Sequence, residues 1–204
     1  LRAVRFASTS ENPTVGGTFE FNKAANLYAS YSESARAPTP IELSCNEGVF
    51  EVARRIAIED GKDPNDVQFE CRLPNAFLAD PPLDQVVAKG VEVGVRGEWR
   101  GVQHRLGYFR TTNFDDIIFQ ATGRSTGLFA NVDETRREGL EVAFSGRLAG
   151  VNWFAAYSLI EATFETAFKA LSPHHARADA RGEIEVRPGD HVPGVPRHQL
   201  KLGA

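Results

Sequence analysis

The sequence predicts an all-β chain of antiparallel strands running up and down, with long loops gathered at one edge. Three observations carry that expectation. Apolar and polar residues alternate in segment after segment, a sustained helical stripe is almost absent, and the connections between segments are short and long in strict order. The chain has 204 residues, with 42% apolar and 25% charged residues, the content of a packed protein rather than of a disordered one.

The strands follow in order. Phe19 and Phe21 open the pattern, and from Leu27 the set Leu27, Ala29, Tyr31 opposes Asn26, Tyr28, Ser30 and Ser32. From Val91 the set Val91, Val93, Val95, Gly97, Trp99 opposes Glu92, Gly94, Arg96 and Glu98. Val102, Leu106 and Tyr108 oppose Gln103, Arg105 and Gly107, with His104 interrupting the apolar row. Leu140, Val142, Phe144 and Leu148 oppose Glu141, Ala143, Ser145 and Arg147, and Trp153, Ala155, Tyr157, Leu159 oppose Asn152, Ala156 and Ser158. Leu200 and Leu202 close a set of about seven strands, long for a soluble protein.

The connections around Asn22-Lys23-Ala24, Arg100-Gly101 and Ala149-Gly150 are tight, and those from Ser34 to Val86, Asn113 to Glu134 and Glu165 to Val195 are long. In an up-and-down sheet every second connection lies at the same end, so all tight turns fall on one rim and all long loops on the other. That asymmetry is the signature of a transmembrane β-barrel of the outer membrane. It also orients the charges. With the apolar rows turned outward to lipid, Glu92, Arg96, Glu98, Arg105, Glu141 and Arg147 face a polar lumen; with the apolar rows turned inward they would simply be solvated, and the loop order decides for the lumen. Phe21, Trp99 and Trp153 fall within about two residues of tight turns, where an interfacial aromatic girdle belongs. Tyr31, Tyr108 and Tyr157 stand about seven residues higher, roughly 18 Å up a tilted strand and short of a ~25 Å apolar band.

Within the first long loop, Val49, Val52, Ala53, Ile56 and Ala57 recur at helical spacing and Gly61 can end the turn, so a short helix is expected there. Cys45 and Cys71 flank it. With no C-x-x-C and no His at zinc spacing, a loop disulfide is the expectation and an oxidising compartment its implication; two unrelated thiols are the alternative. A net charge of −4 without a Lys/Arg block argues against nucleic acid as a partner. No run reaches the roughly 18 apolar residues of a membrane helix.

At this point the residues match a known pattern. Tyr28-Ala29-Ser30-Tyr31-Ser32-Glu33-Ser34-Ala35-Arg36-Ala37-Pro38 resembles the Tyr-Ser strand that runs into an Arg-Ala-Pro motif in TonB-dependent outer-membrane receptors. Gly90-Val91-Glu92-Val93-Gly94-Val95-Arg96-Gly97 looks like that family's Glu-x-Gly-x-Arg-Gly strand, and Arg137-Glu138-Gly139-Leu140-Glu141 like its Arg-x-Gly-x-Glu strand. Arg187-Pro188-Gly189-Asp190 through Val195-Pro196-Arg197-His198 is similar to the long loop re-entering the next strand. The resemblance runs from about Gly17 to the end and implies the C-terminal part of a barrel, present as a fragment: residues 1–204 would form a partial barrel domain, with a plug domain and further strands outside it. It implies, in the outer membrane of a Gram-negative bacterium, an energy-coupled importer of a scarce ligand such as a ferric siderophore or cobalamin. The implied partners are that ligand, outer-membrane lipid and an inner-membrane energy-transducing complex; neither cofactor nor enzymatic activity is implied.

Other chemical patterns compete with this reading. Gly123-Arg124-Ser125-Thr126-Gly127 matches a nucleophile elbow and would make the chain a secreted serine hydrolase using Ser125, but no crossover helix follows. A soluble all-β binding module is the remaining alternative. Arg36, where a strand enters the first loop, is a candidate anion contact, against a plain pairing with Glu33 or Glu42. His174, His175 and His191, with Asp179, are candidates for holding a ligand or metal complex at the mouth, against being solvated loop residues. Asp60, Asp63, Asn65 and Asp66 lack the order of a calcium loop.

Overall fold

The computed structural model describes residues 10–22, 24–43, 47–67, 83–121 and 127–204. One meander dominates it. Strands β1 (Thr14–Asn22), β2 (Ala25–Arg36), β3 (Val86–Trp99), β4 (Val102–Ala121), β5 (Gly127–Leu148), β6 (Val151–Phe164) and β9 (His198–Gly203) form a seven-stranded antiparallel sheet in that order. β7 (Phe168–Leu171) and β8 (Glu183–Val186) form a separate hairpin inside the last long connection. Among the described residues β1 and β9 each have one neighbour, so the sheet they form is open.

The tight rim is built by local chemistry. Trp99 pairs with Val102 across Arg100-Gly101, and Leu148 with Val151 across Ala149-Gly150. All four turn residues have positive φ: 53° and 80° in the first turn, 50° and 88° in the second. This is the two-residue turn whose twist matches that of antiparallel strands. At the third turn the Asn22 side chain accepts a hydrogen bond from the Ala24 N–H at 2.8 Å.

Register lines the apolar residues up across strands. Leu27 lies opposite Val95, which lies opposite Leu106, then Val142, Tyr157 and Leu200. The row above runs Ala29, Val93, Tyr108, Leu140, Leu159. This face is continuous and uncovered: Leu106, Leu140 and Phe144 are 46%, 44% and 44% exposed. An apolar sheet face of this extent needs an apolar neighbour.

Buried apolar residues sit elsewhere. Val86, Ile117, Val132, Ala162, Phe164 and Val186 all lie toward the long-loop end, where β7, β8 and the upper parts of β4, β5 and β6 pack together. Phe164 and Phe168 meet edge to face at 5.0 Å. The expected helix is α2 (Glu47–Glu59), preceded by a single turn, α1 (Pro40–Leu43). α2 ends where Gly61, at φ 70°, donates to the Ile58 carbonyl and Lys62 to that of Ala57.

One long connection differs from expectation. The described residues of the stretch from Asn113 to Glu134 are strand, not loop; β4 and β5 stay paired within it, up to Ala121 opposite Gly127. The cause is Asp115, at φ 54°. That left-handed residue turns β4 over, so that the Asp116 carboxylate lies beside Asn113, Thr135 and Arg137, accepting from the Thr135 hydroxyl at 2.6 Å. The interrupted alternation at Asp115-Asp116 reads as a loop in sequence and is a twist in a continuing strand. Cys45 and Cys71 lie outside the described residues, as do Gly123 to Thr126 with Ser125.

Candidate functional site

The polar face carries a constructed cluster. Tyr28 on β2, Gly94 on β3 and Gly107 on β4 lie opposite one another, and the tyrosine ring lies across both glycines. A Cβ at Gly94 would meet the Tyr28 hydroxyl and the Leu106 carbonyl at 2.5 Å; one at Gly107 would meet the hydroxyl at 2.8 Å. Glycine inside a strand is here the space an aromatic side chain fills. The hydroxyl donates to Glu92 at 3.0 Å and accepts from Arg105 Nε at 3.2 Å, while Arg105 also binds Glu92 at 2.6 Å. Arg96 and Arg105 stand 5.6 and 5.7 Å from the ring centroid. Phe109 repeats the device, its ring lying over Gly139.

The long-loop rim holds the other candidates. Arg36 ends β2 and makes a two-pronged contact with Glu42, at 2.9 and 3.3 Å, the pairing that competes with its reading as an anion contact. Thr39 and Glu42 cap α1 reciprocally: Glu42 accepts from the Thr39 N–H at 2.6 Å and hydroxyl at 2.9 Å, and donates its own N–H to that hydroxyl. Burial pushes the Glu42 carboxyl up, but hydrogen bonds from Arg36 and Thr39 outweigh it and hold the group below its ordinary value.

His174 and His175 are exposed in the turn between β7 and β8. The His175 ring accepts the Arg177 N–H at 3.1 Å through Nδ1. Asp179 closes that turn, accepting from the Glu183 and Arg181 N–H groups at 2.9 and 2.8 Å, and these bonds keep its carboxyl low. His191 pairs by its backbone with Thr163 on β6 and stands 3.9 Å from Glu161, which Arg197 binds at 2.9 Å. Among the described residues no three His, Cys, Asp or Glu side chains are placed to hold a metal ion together. Asp63 of the acidic stretch caps the short turn Pro64–Asp66, accepting from the Asn65 N–H.

The segment carrying Ser125 joins two antiparallel strands of one hairpin, whereas a nucleophile elbow joins a strand to a helix over a parallel sheet. The Tyr28 cluster is what sequence reasoning missed. Its signal was present in Gly94 and Gly107, glycines interior to long strands, which mark a close approach.

Comparison with known proteins agrees with this architecture. The family described as TonB dependent receptor-like, beta-barrel, matches residues 3–204. Among solved structures, the siderophore receptor PirA from Pseudomonas aeruginosa is similar at TM-score 0.54 and 14% identity, over 78% of this chain and 26% of that one. The copper transporter OprC is similar at TM-score 0.52 and 16% identity, over 74% of this chain and 20% of that one. The chain therefore spans about a quarter or less of those proteins' length. A search of curated protein sequences found no match. With its sorted loops, its apolar outer face and a family match along nearly its whole length, the chain belongs to the TonB-dependent receptors, as β-barrel wall in the outer membrane of a Gram-negative bacterium.

Proposed function

We propose that this chain is part of an energy-coupled importer whose long loops capture a scarce ligand, such as a ferric siderophore or cobalamin, and whose wall gives it a polar path inward. The observation that carries the reading is the division of labour between the faces and rims: lipid-like residues on one side, the Tyr28–Glu92–Arg105 cluster on the other, and folded loops at one end only. Energy would come from an inner-membrane energy-transducing complex acting through a plug outside residues 1–204, which make up one partial barrel domain. Ligand contacts are proposed at Arg36, His174, His175 and His191, all exposed at the long-loop rim, with a Cys45–Cys71 disulfide holding the first loop. The reading makes the chain a receptor and transporter, not an enzyme.

The test is uptake. In a strain lacking the full-length gene and grown under iron limitation, ferric siderophores of several chemical classes are supplied with and without a working energy-transducing complex. Restoration of uptake of one class by the gene, abolished when that complex is removed, is the expected result. Uptake of every class and of cobalamin unaffected by the gene would refute the reading.

A further inference from the structure

The left-handed residue Asp115 is held by a side chain that also holds the first long connection. Asn131 lies on β5 opposite Ile117, and its carboxamide sits where three backbones meet. Nδ2 donates to the Asp115 carbonyl at 2.6 Å and to the Asp84 carbonyl at 3.2 Å, while Oδ1 accepts from the Asp84 N–H at 2.9 Å. With Asp84 the amide thus makes the paired N–H and C=O bonds that a neighbouring strand would make. Aspartate could not replace it, because a carboxylate has no hydrogen to give the two carbonyls.

Asp84 stands two residues before β3, at the return root of the first long connection. The outgoing root is tied to it: Val86 pairs with Arg36, the last residue of β2, whose guanidinium clamps Glu42 of α1. Val86, Ile117 and Val132, each a ladder partner or near chain neighbour of the junction residues, are all buried. Asp115 itself has two backbone states. In the extended state β4 would run straight from Phe114 to Asp116; at φ 54° it is turned over, a state that an L-residue keeps only where its surroundings impose it. Here they are the Asn131 bond to its own carbonyl and the Thr135 bond to Asp116 at 2.6 Å.

We infer that Asn131 couples the root of the first long connection to the hinge at Asp115, so that this connection and the β4–β5 tip respond as one unit to a contact made on either. One of the bonds that select the left-handed state belongs to the side chain that pins Asp84. Whatever stabilises Asp84 in place therefore stabilises the turned hairpin, and the reverse holds by the same factor. The coupling is a property of the unliganded chain, and it does not depend on what the receptor imports.

The test is hydrogen exchange of the full-length receptor, without ligand, in outer-membrane lipid, followed in peptides spanning 83–88 and 113–118. Asp115→Val leaves in place the carbonyl that Asn131 holds but penalises the left-handed state. It is expected to speed exchange about tenfold at 113–118 and about threefold at 83–88. Asn131→Ala is expected to speed both segments about tenfold. In the Asn131→Ala background Asp115→Val should then leave 83–88 unchanged, which a merely local disturbance by the valine would not do. Unaltered exchange at 83–88 in Asp115→Val, or an equal effect there with and without Asn131, would overturn the inference. If Asp115→Val does not assemble, judged by heat-modifiable migration, Asp84→Pro carries the test from the other end. It removes the N–H that Asn131 accepts and should speed exchange at 113–118 about threefold; no change there would equally overturn the coupling.

Discussion

The wall and the loop-bearing cap of this chain are stabilised in different ways. In the wall, Leu106, Val142 and Leu200 lie in register on an uncovered face, and almost nothing apolar is buried. In the cap, Val86, Val132, Phe164 and Val186 are buried as in a small water-soluble core. The wall therefore draws on ladder hydrogen bonds and on lipid for its apolar face; the cap draws on the hydrophobic effect in water. Substitutions should sort by region, and the expected effects run from the cap core to the turns.

Phe164→Ala empties a position 6% exposed and loses the Phe168 contact, a cost of about 3–4 kcal/mol for a buried aromatic. The comparison requires this to be local. Limited proteolysis of the β7–β8 region should accelerate while the heat-modifiable migration of the barrel persists. Loss of both together would erase the distinction between the regions.

Leu106→Arg tests the wall's outer face near its mid-height and should cost about 2–4 kcal/mol, visible as poor assembly in the outer membrane. Ser158→Arg, on the opposite face, should be tolerated, because a lumenal guanidinium stays hydrated. On that inner face Gly94→Ala should also impair assembly, since the new methyl meets the Leu106 backbone carbonyl as well as the Tyr28 hydroxyl. Gly107→Ala meets chiefly the hydroxyl, so Tyr28→Phe should rescue it but not Gly94→Ala. Folding yields of the two double variants check the difference.

In the cap's first loop, Glu42 has a folded-state pKa below its ordinary value of 4.5. The carboxylate's contribution is thus fully present above about that pH and fades as pH falls through the lower folded value. Proteolytic protection of residues 36–43 should drop in acid below pH ~4.5, and Glu42→Gln should be less protected at pH 7 with a flattened acid response. The smallest effect is expected at the tight rim. Ala149 holds φ 50°, a strain of about 1 kcal/mol that Ala149→Gly should relieve, seen as a slightly higher temperature of barrel unfolding.

The wall was legible from sequence because its rule is simple. Period two, interrupted by Arg100-Gly101 and Ala149-Gly150, fixes the strands, the faces and the tight rim. The α2 helix was legible for the same reason, through the spacing of Val52, Ile56 and Ala57. The cap was not. Asp115 and Asp116 break the alternation locally, and only the backbone shows that a single left-handed residue turns the strand over instead of ending it. The β7–β8 hairpin is four residues a side and closed by the side chain of Asp179, so no periodic signal exceeds the noise of a polar loop. The Tyr28 cluster unites residues from three strands, and long-range neighbours of that kind appear only once register is set. The upper girdle was half legible: the heights of Tyr31 and Tyr108 follow from counting, but Glu33 and Glu138, which take their hydroxyls, follow from folding.

The central claim is that the face bearing Val142 and Phe144 meets lipid while the face bearing Ala143 and Ser145 meets a water-filled lumen. The most direct measurement places a single nitroxide label at each of these four positions of the full-length protein, with Cys45 and Cys71 replaced by serine, in outer-membrane lipid. Relaxation by oxygen and by a water-soluble nickel chelate is then compared. The account predicts strict alternation, with oxygen dominant at Val142 and Phe144 and the nickel chelate dominant at Ala143 and Ser145. Equal access of the nickel chelate to all four positions, or the reverse alternation, would contradict it.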